Sequence, residues 1–198
     1  MSASARVPQE ERSRAMRARL MDATVECLVE RGFGGTSTTL ISERAGVSRG
    51  AQLHHFPNKN ALVVAAVEHL TAVRGAELAA AAAKVPAAHR TRDVLRMLGD
   101  HFASPVFIAA LELWVAARSD PDLLAAVEPL ERTVGRETHR MTVDLLGADE
   151  SRPGVRELVQ ATLDLVRGLG LAATITDDTR RRNRILDQWA ATLDQALA

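Results

Sequence analysis

Apolar residues recur at three- and four-residue spacing along most of this 198-residue chain, and no stretch reads as a strand. Leu20, Ala23, Thr24, Cys27 and Leu28 form one such face opposite Arg12, Arg14, Arg17 and Arg19, which predicts a helix over about 9–31. Gly32 follows in the position of a left-handed C-cap, with Phe33 folding back on the preceding turn. After Gly34-Gly35, one of Thr36, Ser37 or Thr38 caps a second helix that gathers Leu40, Ile41 and Ala45, and Gly46 ends it. Ser48 caps a third helix, roughly 49–55, which Pro57 stops. Asn58 then caps a long fourth helix reaching about Ala83.

From Val85-Pro86 onward the same periodicity predicts helices over about 91–102, 105–118, 121–146, 153–176 and 179–197. Pro105, Pro121 and Pro153 fall where a proline opens a helix, and Gly147 falls where one ends. Pro129 lies inside a helical pattern and is expected to kink or split it. The last two helices carry wide apolar faces, and Gly168, Gly170, Ala172 and Ala173 allow close approach between helices. The fold class is therefore all-α, with about nine helices.

Composition agrees. Aromatic residues are 3% and Tyr is absent, so aliphatic residues and Ala make the core, which favours helices. No apolar run is long enough for a membrane span, and the basic N-terminus lacks the apolar segment of a secretory signal. Cys27, the only cysteine, excludes an internal disulfide and a multi-cysteine metal cage, and it reads as a small buried hydrophobe in a reducing cytoplasm. The net charge of zero conceals an asymmetry: residues 1–60 hold nine basic groups against six acidic, the remainder 16 against 19. A basic head on an acidic body suits a polyanion-binding module joined to a second domain. The histidines show no metal-ligand spacing, and no phosphate loop, nucleophile elbow or carboxylate pair stands out, so neither enzyme chemistry nor a cofactor or metal is expected.

The segment TSTTLISERAGVSRGAQLHHFPNK, residues 36–59, carries the chemistry. Two short helices joined at Ala45-Gly46-Val47 make a helix–turn–helix, whose second helix has the width of the DNA major groove. Residues 12–70 resemble the DNA-binding domain of the TetR family of bacterial repressors. The likeness rests on Leu20, Ala23, Leu28, Gly32-Phe33, Thr36-Ser37, Ile41, Ala45-Gly46-Val47-Ser48, Gly50, His55-Phe56, Lys59 and Leu62. It implies a helix–turn–helix domain over 1–57, including an N-terminal arm. A helical regulatory domain over 58–198 follows, with a ligand pocket in about 58–146 and dimerisation helices in about 153–197.

The resemblance also implies roles. Thr38 and Thr39 meet the sugar–phosphate chain; Ser48 caps the recognition helix and bonds a phosphate; Arg49 pairs with phosphate or guanine; Gly50 admits the backbone to the DNA; His54 projects toward the groove; Lys59 clamps a phosphate. Where the family has Leu-Tyr, this chain has Gln52-Leu53. Leu53 offers an apolar contact in place of a hydroxyl. Gln52 admits two placements, outward to read adenine or inward with its amide satisfied locally. Implied ligand-lining residues are Met97, His101, Phe102, Phe107, Leu111, Trp114, Arg118 and Met141. Implied dimer contacts are Leu158, Leu163, Val166, Leu169, Ile185, Leu186, Trp189 and Leu193. The expected partners are a palindromic double-stranded DNA operator, a small-molecule inducer and a second copy of the chain, without a membrane. The alternative is a helical ligand-binding or scaffolding dimer whose helix–turn–helix is vestigial.

Overall fold

The computed structural model describes residues 9–86 and 90–198, which form nine helices and no strand. The expected N-terminal arm precedes Gln9 and lies outside the described residues. The elements are α1 (Gln9–Gly35), α2 (Thr38–Ala45), α3 (Arg49–His55), α4 (Lys59–Ala82), α5 (Arg90–Phe102), α6 (Pro105–Ala117), α7 (Pro121–Leu146), α8 (Val155–Ala173) and α9 (Thr179–Leu197). The described residues fall into two compact units, one formed by those up to Leu70 together with Ala109–Val127, the other by those from Thr71 to Ile108 together with Glu128–Ala198. No single helix among them is long and apolar enough to cross a membrane.

In the first unit Leu20, Cys27 and Leu28 of α1, Ile41 of α2 and Leu62, Val63 and Ala66 of α4 are fully buried. Burial pushes the Cys27 thiol pKa up, which keeps it protonated and inert. Several helix starts are closed by local side chains. The Ser37 hydroxyl accepts from the Leu40 N–H at 3.2 Å, and the Asn58 side-chain oxygen from the Ala61 N–H at 2.8 Å. Gly46 is left-handed at φ 61°, ψ 41°, and its N–H and that of Val47 return to Glu43 and Ser42, a Schellman closure. Gly32 behaves differently from the expected left-handed cap. Its φ of 65° is positive, but its ψ of 176° places it in a region open essentially to glycine alone. It breaks the helical path inside α1 instead of capping it.

In the second unit α5 packs against both α8 and α9. Leu163, Val166 and Leu169 of α8 and Leu186 and Leu193 of α9 are buried in this core. These five were expected at a dimer contact; they are already buried within the single chain. Leu158, Ile185 and Trp189 stay half-buried, and the Trp189 indole donates to the Thr162 hydroxyl at 2.9 Å. The Arg182 guanidinium, itself buried, pairs with Asp100 at 2.6 Å and ties α9 to α5.

Two expectations about prolines need correction. Pro105 and Pro121 open α6 and α7, but α8 starts at Val155, behind Gly154 at φ 84°, and ends at Ala173. Pro153 therefore belongs to the preceding turn. Pro129 does not split α7, which runs unbroken from Pro121 to Leu146. The proline deprives the Ala125 carbonyl of its helical partner, but Ala125 and Pro129 are both exposed, so water can serve that carbonyl.

Close approach of α5, α6 and α8 depends on Gly170. A Cβ there would stand 2.1 Å from the Phe102 carbonyl oxygen and 3.0 Å from the Phe107 ring. Gly170→Ala is expected to destabilise the fold by roughly 2–3 kcal/mol through overpacking, read from urea unfolding.

Candidate nucleic-acid interface

The recognition helix α3 is seven residues long, RGAQLHH, and its two sides differ sharply. Ser48, Arg49, Gly50, Leu53 and His54 are exposed, Leu53 at 46%, whereas Gln52 is fully buried and Phe56 nearly so at 3%. The helix period puts residues 49, 50, 53 and 54 on one side, so a cation, a bare backbone, an apolar side chain and an imidazole share a surface. Ser48 caps the helix, its Oγ accepting from the Ala51 N–H at 3.3 Å. Thr39 is exposed and Thr38 half-buried at the start of α2.

Gln52 is removed from the set of DNA contacts. Its Nε2 donates to the Phe56 carbonyl at 2.8 Å, and its Oε1 is buried without a partner. An inward amide with one satisfied end decides between the two placements the sequence allows.

Lys59 also has a different task from the phosphate clamp expected of it. Its Nζ donates to the Phe33 carbonyl at 2.5 Å and stands 3.7 Å from the Phe33 ring centroid. Burial pushes its pKa down. The ammonium thus fastens the start of α4 to the end of α1.

Arg17 of α1, one of the arginines opposite the buried face, acquires a specific place. Its guanidinium lies over the Phe56 ring, 5.0 Å from the centroid, beside the C-terminal end of α3. The His54 and His55 rings meet edge to face at 5.3 Å. Burial, His54 and Arg17, in that order, hold His55 below the usual imidazole range, so it is neutral at pH 7. A contact 39 residues away in sequence leaves no periodic signal, so the helical pattern marks Arg17 only as a surface residue.

The residues expected to line a ligand pocket are divided between the units. Met97, His101, Phe102, Phe107 and Met141 belong to one, Leu111, Trp114 and Arg118 to the other. Within the first group Phe102 meets both His101 and Phe107 edge to face, with centroids 5.3 and 5.2 Å apart. Burial, helped by Arg74, holds His101 below the usual imidazole range. Arg118 is exposed.

Gly50 yields a prediction. A Cβ built there meets no atom of the chain within 4 Å, so nothing in the fold requires glycine at this exposed helical position. Gly50→Ala is expected to stabilise the fold by about 0.5–1 kcal/mol. The same change is expected to weaken DNA binding by roughly fivefold, about 1 kcal/mol. Gln52→Ala should do the reverse, lowering stability by about 2 kcal/mol while the folded protein keeps its DNA affinity. Thermal unfolding paired with fluorescence anisotropy on labelled duplex separates the two effects.

The family profile described as bacterial regulatory proteins of the tetR family matches residues 20–66, which span most of α1, α2, α3 and the start of α4. The HTH-type transcriptional regulator CymR of Pseudomonas putida is 32% identical over 184 residues, covering 89% of this chain and 88% of that protein. Among solved structures, reduced NemR of E. coli superposes with a TM-score of 0.70 at 18% identity, covering 92% of this chain and 98% of that one. The multidrug binding protein EbrR, complexed with imidazole, does so with a TM-score of 0.61 at 23% identity, covering 87% and 93%. The exposed recognition helix, the family profile and the near full-length similarity to CymR converge: the chain belongs to the TetR family and is a DNA-binding transcriptional regulator, not an enzyme.

Proposed function

We propose that the chain is a repressor that binds a palindromic operator as a homodimer and releases it when a small molecule binds. The carrying observation is the outward side of α3, where Arg49, Gly50, Leu53 and His54 stand exposed while Gln52 is turned inward. Within it Arg49 supplies bidentate pairing to guanine or phosphate, and Leu53 an apolar contact of the kind a thymine methyl accepts. Thr38, Thr39 and Ser48 supply hydroxyls to the backbone, which position the helix without reading sequence.

The homodimer is supported by the outer side of α8 and α9. A groove of about 660 Å³ lies there between Ala161, Leu165, Ile185 and Trp189, bordered by Arg181, Arg184 and Gln188. Its apolar floor is a surface that a second copy would cover. Ligand response is proposed for residues 58–146, with His101, kept neutral, and Phe102 offering an imidazole and a ring edge. EbrR, with the same fold, binds imidazole. A ligand that prefers a conformer with misplaced recognition helices lowers DNA affinity by population shift. The chain would act in the cytoplasm, where bacterial DNA is.

Gel shift with the DNA upstream of the chain's own coding region tests the reading, together with selection from a randomised pool. The recovered sites are expected to be palindromes with half-sites about one helical turn apart. Affinity should fall steeply with salt. Arg49→Ala is expected to cost about 1–3 kcal/mol and to relax sequence preference at one position of each half-site. Recovery of non-palindromic sites, or an eluted mass equal to one 21.4 kDa chain, would count against the dimer.

A further inference from the structure

α6, PVFIAALELWVAA, contains a single charged residue, Glu112. Ala109, Leu113 and Ala117 form the buried stripe of this helix, and Glu112 sits half-buried beside them. Its Oε2 accepts the Phe33 N–H at 3.1 Å, across 79 residues of sequence and within the first unit.

Three neighbouring contacts make this more than an incidental bond. The positive φ of 65° favours glycine at position 32, and a Cβ there would stand 2.7 Å from the same Oε2, so the carboxylate lies directly against the bare Cα. The Phe33 carbonyl receives Lys59 Nζ at 2.5 Å and the Thr36 N–H at 3.3 Å. The buried Thr36 hydroxyl donates to the Gly32 carbonyl at 2.8 Å. Phe33 thus carries an anion on its N–H and a cation on its C=O, and charge-assisted bonds of this kind are the strong ones. Elements α1, α4 and α6, and the residue leading into α2, meet at this one residue.

We propose that Glu112 is a positioning residue for DNA binding. Its carboxylate caps the broken end of α1, holds the Gly32 turn in its glycine-only conformation, and so fixes the direction in which the chain enters α2 and α3. It touches no DNA itself. Removing the cap leaves the recognition helix intact but lowers the fraction of molecules that present it correctly, and apparent affinity falls in proportion to that fraction. The inference rests on the DNA-binding assignment.

The test uses the full chain and a labelled duplex recovered by the wild-type protein from a randomised pool. If the wild type retains no duplex, the DNA-binding reading itself fails, before any variant is compared. Glu112→Gln keeps an oxygen acceptor and is expected to bind within about twofold of wild type, whereas Glu112→Ala should bind roughly three- to tenfold more weakly. The slope of affinity against salt should be unchanged in Glu112→Ala, because no phosphate contact has been lost. Hydrogen exchange of the Phe33 amide supplies a readout independent of DNA: it should be protected in wild type and Glu112→Gln. If Glu112→Ala binds like wild type, if Glu112→Gln is as weak as Glu112→Ala, or if the Phe33 amide is unprotected in the wild type, the proposal is overturned. Should Glu112→Ala fail to fold, the comparison of Glu112→Gln with wild type by affinity and exchange decides alone.

Discussion

A helix of seven residues cannot hold itself together in water, because nucleation costs more than so few hydrogen bonds return. This constraint governs α3 and most of what surrounds it. Ser48 closes one end. At the other, Gln52 and Phe56 exchange two bonds of 2.8 Å, the Phe56 N–H donating to the Gln52 carbonyl and the Gln52 amide donating to the Phe56 carbonyl. Phe56 is then buried beneath the Arg17 guanidinium. The helix is shaped from its ends and its inner side, which leaves its outer side free of any duty toward the fold.

The same dependence recurs one level up. α2 has eight residues, and it too relies on caps and on contact with α1. Arg44 ties it to Glu30 and Glu26 of α1, but both carboxylates are more than half exposed, so the pairs add little beside the buried Leu20, Leu28 and Ile41. The end of α1 is where the unit's connections concentrate, through Phe33. One of them comes from α6, and Ala109–Val127 accordingly belongs to the same compact unit as α1, α2 and α3. Contiguity in sequence and contiguity in packing part company there.

What could be read in the sequence was whatever is local. Ser37, Ser48, Asn58 and Gly46 act on groups within a few residues of themselves, and the structure finds each in its expected place. Helix boundaries hold to within two or three residues for the same reason, apart from the end of α1. The misreadings of side-chain roles involve a distant partner. Lys59 looked free because Phe33 is 26 residues away. Leu163, Val166, Leu169, Leu186 and Leu193 looked available to a second copy because periodicity reports that a face is covered, not by what; they are buried within the chain, where α5 packs on both helices. Gln52 was undecidable because the helix period leaves its direction to the Phe56 carbonyl. Glu112 did leave a signal, a lone charge in an apolar helix, but the signal names no partner.

The glycines separate the demands of the fold from the demands of function. Gly32 and Gly46 have positive φ, and Gly99 and Gly170 face atoms that a methyl group would strike, so each answers to the protein's own geometry. Gly50 answers to none of these: its surroundings are open, and alanine would make a better helix. It stands beside Arg49, one turn from the exposed Leu53, and in the same short helix as Gln52 with its unpaired buried oxygen. Three departures from what stability favours thus fall within seven residues. Internal packing accounts for neither the bare glycine nor the exposed leucine, whereas a surface shaped to lie against a DNA backbone would account for both together. The orphaned Gln52 oxygen remains a cost of closing α3 onto Phe56 with a side chain that can bond only at one end.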